Sequence, residues 1–209
     1  MKIAITIIAF CLFIGFPTVS DAISLGPYSG TVLDIQSGEP IEGASVFFYW
    51  TERIPNVGGG NSETIGCKLI YTDRKGRYNI PKDNYNIGLM AFFESTKIII
   101  YQPGYQAYTQ RIEKDNPYWK PDPSFKEIEN TVKLKRIPPN FSHEKHYDTI
   151  DHALWGLDSV EYPDPERGGL KISWNTFIDR NFKSGVLEKA EFLRRVEWEN
   201  RRGMQEDGR

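Results

Sequence analysis

The feature that most constrains this fold is a pair of strand-and-turn clusters between residues 28 and 80. The first contains the turn Ser37-Gly38-Glu39-Pro40, and the second contains Asp73 with Gly76 three positions later. Glycine reaches positive φ without steric penalty, and proline fixes φ where a chain re-enters a strand. Segment 45–51, which lies between the turns, is almost wholly β-branched or aromatic and therefore indicates a strand. These signals predict short strands joined by tight turns.

The same residues carry a family resemblance. They form the ordered motifs Gly30-x-Val32-x-Asp34, Gly38-x-Pro40-Ile41-x-Gly43-Ala44-x-Val46, Thr72-Asp73-x-x-Gly76-x-Tyr78-x-Ile80 and Pro103-Gly104-Tyr105. Over residues 28–137 the set resembles the carboxypeptidase regulatory-like domain. The resemblance implies a mainly β fold, a seven-stranded transthyretin-like Greek-key β-sandwich, and a non-catalytic role. The long segment 52–64 departs from the family pattern, and nothing in that pattern covers residue 138 onward.

Residues 1–22 are typical of a secretory signal peptide. Lys2 gives a positive start, residues 3–16 form an apolar run, and Ser20-Asp21-Ala22 offers a small-residue cleavage site. The run is shorter than the roughly 18 apolar residues of a membrane-spanning helix. We therefore expect cleavage after Ala22, no membrane span in the mature chain, and a periplasmic or secreted location. The alternative is a retained membrane anchor.

Charge and cysteine content exclude some classes of protein. The chain has 26 basic and 28 acidic residues, so its formal net charge is −2. No basic field favours nucleic acid as a partner. After signal cleavage Cys67 would be the single cysteine, which excludes an internal disulfide. Its strand-like neighbours indicate a small buried hydrophobic residue rather than a reactive thiol.

Aromatic and arginine side chains near predicted turns are the candidate ligand contacts, because such side chains commonly anchor binding surfaces. Those candidates are Tyr49, Trp50, Arg53, Tyr101, Tyr105 and Trp119. The first three stand at the base of a glycine-rich segment, 52–63, that is expected to be a loop. A flat row of exposed rings would favour sugar binding, whereas buried rings would favour a structural role.

The rest of the sequence predicts further strands and then helices. Strands are expected at 87–93, 97–102, 106–112 and 126–136, with a proline-rich connection at 115–125. Beyond residue 138 the period becomes helical. The apolar stripe of the first helix is His143, Tyr147, Ile150, Leu154 and Leu157, and that of the tail is Phe182, Val186, Leu193 and Val196.

Three histidines raise the question of a metal site. On one continuous helix His146 lies about 60° from His143, and His152 lies about 180° from it, so the three cannot converge on one ion. We therefore assign His143 to the apolar stripe and expect His152 to be exposed. The order His-Glu-x-x-His of zinc peptidases is absent, and no serine stands in a nucleophile elbow. No metal, cofactor or catalytic residue is predicted.

These observations predict a signal peptide (1–22), a β-sandwich domain (23–137) and a helical C-terminal extension (138–209). The predicted function is that of an exported, non-enzymatic binding or structural accessory protein. Its partner would be an unidentified protein or an envelope glycan, without nucleic acid. The alternatives are a carbohydrate-binding module that uses exposed aromatic side chains and an unrecognised hydrolase in the C-terminal segment.

Overall fold

The computed structural model describes residues 22–57, 60–88, 90–113, 126–154 and 186–206, which are mainly β with helices on the C-terminal side. The strands are β1 (Ala22–Leu25), β2 (Tyr28–Asp34), β3 (Ser45–Ile54), β4 (Asn61–Tyr71), β5 (Arg77–Ile80), β6 (Asp83–Asn86), β7 (Phe92–Tyr101), β8 (Tyr108–Glu113) and β9 (Asn130–Leu134). The helices are α1 (His143–Ala153) and α2 (Val186–Glu206). The mainly β character and the C-terminal helices are confirmed. The predicted signal segment lies outside the described residues except for Ala22, and Trp119 also lies outside them.

One sheet has the strand order β5-β2-β9, with β2 antiparallel to β5 and parallel to β9. The pair β1–β6 continues the β2–β5 ladder in the same register, from Tyr28 opposite Ile80 to Leu25 opposite Asp83. The two pairs are separated at Pro27 and Pro81. Proline has no N–H to donate to a ladder, which accounts for the interruption.

The other main sheet has the order β4-β3-β7-β8, with all neighbours antiparallel. Its central strand β3 has eight consecutive buried residues, Ser45 to Glu52. Alternate side chains of a strand point to opposite faces, so a strand buried this completely must be covered on both faces. The continuous apolar sequence of segment 45–51 reflects this double burial.

Two apolar cores fill the two faces of β3. Between the sheets, Val46, Phe48 and Trp50 pack with residues of the three-stranded sheet, so the sheets lie face to face. On the opposite face, Phe47 and Tyr49 pack with the helices, and the ring of Phe192 stacks on Phe47 at 4.7 Å between centroids. The predicted helical extension therefore shares a core with the β domain.

The turn geometry predicted around Gly76 is confirmed. Gly76 has φ of 68°, and the carboxylate of Asp73 accepts hydrogen bonds of 2.8 Å from the amides of Lys75 and Arg77. A Cβ at residue 76 would lie 2.5 Å from the carbonyl oxygen of Val32, so glycine is required there for space as well as for φ. Gly38 likewise has positive φ, 72°.

Three predicted boundaries were wrong. The strand expected at 126–136 is limited to β9, Asn130–Leu134, and the exposed Ile128 precedes it. Residues 87–93 are not one strand, because Gly88 and Met90 lie in a turn that closes with a hydrogen bond from Ala91 N–H to the Gly88 carbonyl, and β7 begins at Phe92. The expected loop at 52–63 is shorter than predicted, since β3 runs to Ile54 and β4 starts at Asn61. At residues 87–93 and 52–63 composition gives the wrong boundary. Apolar residues in the turn resemble a strand, and the polar ends of β3 and β4 resemble a loop.

Candidate functional site

Three of the six predicted ligand contacts are core residues. Tyr49, Trp50 and Tyr101 are 0%, 1% and 0% exposed. Tyr49 and Tyr101 face the helices, where the Tyr49 hydroxyl donates a 2.5 Å hydrogen bond to the carbonyl oxygen of Ala153 at the end of α1. Trp50 lies between the sheets. The exposed row of rings that would favour sugar binding is therefore not formed by these three side chains, and their burial fits the structural role.

Tyr105 belongs to a polar cluster around the buried carboxylate of Asp34. The Tyr105 hydroxyl donates to Asp34 Oδ2 at 3.0 Å, and Arg136 Nε donates to the same oxygen at 2.6 Å. The amide of Gln36 donates to Oδ1 at 2.7 Å. The hydrogen bond from Arg136, followed by that from the Gln36 amide, lowers the pKa of Asp34 from 3.8 to about 2. This cluster ties the end of β2 to the residues that follow β9 and to the connection between β7 and β8.

Arg53 is exposed and stands at one end of the four-stranded sheet. Its Nε and Nη2 atoms donate to Glu94 Oε1 at 3.1 and 2.6 Å. Its strand partner is Phe92, so the β3–β4 and β6–β7 connections emerge side by side. We call the described residues 54–57, 60–62 and 86–92, without residue 89, the loop end.

The loop end exposes large apolar side chains. Val57 is fully exposed, and Met90 and Phe92 are 83% and 51% exposed. Met90 has φ of 70°, a left-handed conformation that is uncommon for a residue with a long side chain. At its base, the buried carboxylate of Glu52 accepts a 2.8 Å hydrogen bond from the Gly88 amide and so fixes the β6–β7 connection to β3.

A second polar group is buried where the helices meet the sheet. We call Tyr101, His143, His146 and Glu199 the buried polar cluster. Glu199 is 0% exposed, and its Oε2 lies 2.5 Å from Nδ1 of His143 and 3.1 Å from Nδ1 of His146. Its other oxygen accepts a hydrogen bond of 3.2 Å from the Tyr101 hydroxyl. One carboxylate thus links α1, α2 and β7.

The surroundings of this cluster determine which ring nitrogen of His146 carries a proton and shift the pKa values of Glu199 and Tyr101. The backbone N–H of Ala107 donates to Nε2 of His146 at 2.8 Å, so that nitrogen keeps its lone pair and Nδ1, which faces Glu199, holds the proton. Burial by itself raises the pKa of Glu199, but the facing imidazoles of His146 and His143 outweigh it, and the pKa lies below its usual value. Burial and the adjacent carboxylate raise the pKa of Tyr101.

The buried polar cluster is poorly suited to holding a metal ion. A ligating histidine normally donates its second ring N–H to an acceptor, whereas the second nitrogen of His146 faces an N–H donor. Within the described ranges, no group of three or more His, Cys, Asp or Glu side chains is arranged to hold a metal. The assignment of His143 to the apolar stripe was wrong, because its ring reaches Glu199, although Ile150 and Leu154 do face the core. The side chain of His152 lies outside what the structure describes.

Cys67 is buried under α2, as predicted from its neighbours. Burial is the largest cause that raises the pKa of its thiol, to about 12, and the carboxylate of Glu188 adds to the effect. The thiolate, which is the reactive form, is therefore scarce at neutral pH.

A polar groove of about 510 Å³ lies on the three-stranded sheet. Its hydroxyl and amide side chains come from Ser29, Thr31, Asn79 and Thr131, which alternate with buried residues and so lie on the outer face. Arg77 and Glu129 stand beside them. Nothing in the sequence indicates this groove, because short polar residues alternating with apolar ones are the ordinary pattern of an exposed sheet face.

No helix among the described residues combines the length and apolar character needed to cross a membrane. No protein-family model matches the sequence, and no curated protein matches it.

Solved structures give distant likenesses. The chain is similar to 3-chlorocatechol 1,2-dioxygenase from Rhodococcus opacus 1CP, with 15% identity and a TM-score of 0.33 over 58% of this chain and 63% of that one. It is also similar to a streptococcal ancillary pilin, with 13% identity and a TM-score of 0.28 over 54% of this chain and 30% of that one. A 9R-lipoxygenase from Cyanothece PCC8801 has 14% identity and a TM-score of 0.22, over 65% and 21% of the two chains.

The chain thus spans less than two thirds of each of these proteins. Likenesses this distant carry no conclusion about the activity of this chain, and the description of its fold depends on its own sheets and cores.

Proposed function

We propose that this protein is an exported, non-catalytic binding or structural accessory protein that contacts its partner through the loop end. The fold we propose for it is the carboxypeptidase regulatory-like, transthyretin-like Greek-key sandwich. The three-stranded and four-stranded sheets contain seven strands between them, and their face-to-face packing supports this assignment.

The observation that carries the proposal is the exposure of Val57, Met90 and Phe92 on adjacent connections. Scattered exposed apolar residues are ordinary, but several large ones at one end of a rigid sheet are typical of an interaction surface. The connections are held by β3 and β7, which lie in the core, so the surface is presented on a fixed base. Met90 holds its left-handed backbone at the same place, and strained residues are enriched at functional sites.

Two of the buried carboxylates support a non-catalytic role. Asp34 is engaged by Arg136, Tyr105 and backbone amides, and Glu199 is engaged by imidazoles and the Tyr101 hydroxyl. Each carboxylate joins separate elements of the fold, as structural polar networks do. A general acid or base instead needs a free position within reach of a substrate.

Export and partner binding can be tested in the native host. Mass spectrometry of the mature protein should find Ile23 at its N-terminus. Tagged protein should then capture an envelope component that the variant Val57→Ser/Met90→Ser/Phe92→Ser does not capture. The variant Ile35→Ser/Met204→Ser changes apolar residues that are about half exposed elsewhere, and it should capture the component normally. Equal capture by all three proteins would contradict the proposal.

The polar groove favours a second candidate function, the binding of an envelope glycan. Its hydroxyl and amide side chains are suited to hydrogen bonding with sugar hydroxyls. Calorimetric titration with glycan fragments should show binding that the substitution Thr31→Val/Thr131→Val removes. Binding that is unchanged in this variant would exclude the groove as the site.

A further inference from the structure

We propose that the partner of the loop end is the surface of a lipid bilayer, into which Val57, Met90 and Phe92 insert. This inference rests on the proposed function and specifies the chemistry of the same surface. The sheets would stay in water while the tips of two connections enter the layer of lipid headgroups and upper acyl chains.

The shape of the loop end favours a fluid partner. Val57 is fully exposed, and Met90 extends from a turn rather than lying on a flat face. A convex tip gains most from a medium that closes around it, because a rigid protein partner would need a matching cavity to bury the same area. Exposed apolar residues at a membrane surface gain free energy in proportion to the area they bury in the acyl region.

The absence of charged residues at the loop end also favours a lipid partner. Residues 54–62 and 84–93 contain no Asp, Glu, Lys, Arg or His. The neighbouring charges are already engaged, since Arg53 pairs with Glu94 and Glu52 accepts the Gly88 amide. Insertion of the tip therefore does not require a charge to leave water, which is the main cost of entering a bilayer.

This pattern also specifies the lipid. A tip without basic residues gains nothing from anionic headgroups, unlike polybasic surfaces that bind acidic lipids. Binding should therefore occur on neutral lipid and should persist at high salt, because screening weakens only interactions between charges.

Co-sedimentation with phosphatidylcholine vesicles tests the proposal. The mature full-length protein should sediment with the vesicles to the same extent in buffers of about 0.05 M and about 0.5 M salt. The variant Val57→Ser/Met90→Ser/Phe92→Ser should partition at least about tenfold more weakly, because three apolar side chains no longer contribute buried area. The control Ile35→Ser/Met204→Ser should partition like the wild type. A circular dichroism melt of each variant excludes unfolding as the cause.

Three results would overturn the inference. Wild-type protein that stays in the supernatant with both phosphatidylcholine and mixed phosphatidylcholine–phosphatidylglycerol vesicles, while it captures an envelope protein through the tip, would replace lipid with protein as the partner and leave the proposed function intact. Sedimentation that needs phosphatidylglycerol and disappears at high salt would show an electrostatic surface elsewhere. If the tip variant matches the wild type in both the capture and the vesicle assays, the proposed function fails too.

Discussion

The buried polar cluster and the loop end both depart from the usual arrangement, in which polar side chains lie outside and apolar side chains lie inside. At the cluster, a carboxylate and two imidazoles lie inside, between helices and sheet. At the loop end, Val57, Met90 and Phe92 lie outside. The interior polar groups face one another at contact distance and therefore have a structural explanation within the chain. The exterior apolar groups have no such explanation, so the loop end is where an external partner should be sought.

Removal of the helices should have the largest effect. A chain ending at Pro139 would expose Phe47, Tyr49, Ile99 and Tyr101, which are each 0% exposed in the intact protein. Full burial of such a side chain is worth about 1.5–3 kcal/mol, so the loss is comparable with the about 5–15 kcal/mol of a whole domain. We expect aggregation or a non-cooperative melt by circular dichroism. A cooperative β-type melt would instead show that residues 23–137 fold independently, as expected of the separate β-sandwich domain that the sequence predicts.

Substitution of Glu199 should have the next largest effect. Glu199→Ala leaves His143, His146 and Tyr101 without their shared acceptor, and each buried donor left unsatisfied costs about 1–3 kcal/mol. Denaturant unfolding measures the loss. The matched control is Glu197→Ala on the same helix, whose partly exposed pair with Arg201 should contribute less than about 1 kcal/mol. Similar losses in the two variants would mean that the cluster does not hold the helices.

Acid should weaken the cluster but not the loop end. A carboxyl group whose pKa is lowered by folding stabilises the protein above its ordinary pKa, and that contribution disappears as the pH falls toward the folded pKa. For Glu199 the loss should therefore begin as the pH falls below its ordinary value of 4.5, and for Asp34 it should extend from 3.8 down to about 2. Unfolding free energies measured between pH 7 and pH 2.5 should decline less steeply in Glu199→Gln than in the wild type. Parallel curves would contradict the assignment.

The smallest effect on stability is expected at the loop end. Val57→Ser, Met90→Ser and Phe92→Ser remove exposed side chains, and surface substitutions of this kind usually change stability by no more than about 0.5 kcal/mol each. Thermal melts should therefore be nearly superimposable while binding is lost. A large drop in melting temperature would show that these side chains pack within the protein and would remove the basis for the binding proposal.

The sequence predicts the parts of this fold that depend on local physics. Gly76 and Asp73 build a turn from their own backbone and side-chain preferences, and Ile150 and Leu154 face the core because the helical period brings them there. The buried polar cluster could not be predicted in this way. His143 and Glu199 are 56 residues apart, and nothing in either local pattern indicates that they meet.

The loop end was missed for a related reason. Its apolar composition at 87–93 is the usual signal of a strand, and composition alone does not distinguish an apolar residue that is buried from one that is exposed. The burial of Tyr49 and Trp50, by contrast, has a signal in the sequence. A run of apolar residues without polar alternation is typical of a strand covered on both faces.

Double burial of β3 also determines how this strand can keep its alignment. The register of a strand with one solvent-exposed face is fixed by polarity, since a shift of one residue would expose its apolar side chains to water. In β3 such a shift would exchange one apolar set, Phe47 and Tyr49, for another, Phe48 and Trp50. Polarity therefore does little to prevent a shift in the register of β3. The register must instead be fixed by the shapes of the side chains and by specific hydrogen bonds. The irregularities beside Thr51, the Thr51–Ser95 hydroxyl pair at 2.8 Å and the bond from Tyr49 to Ala153 can form in one alignment alone.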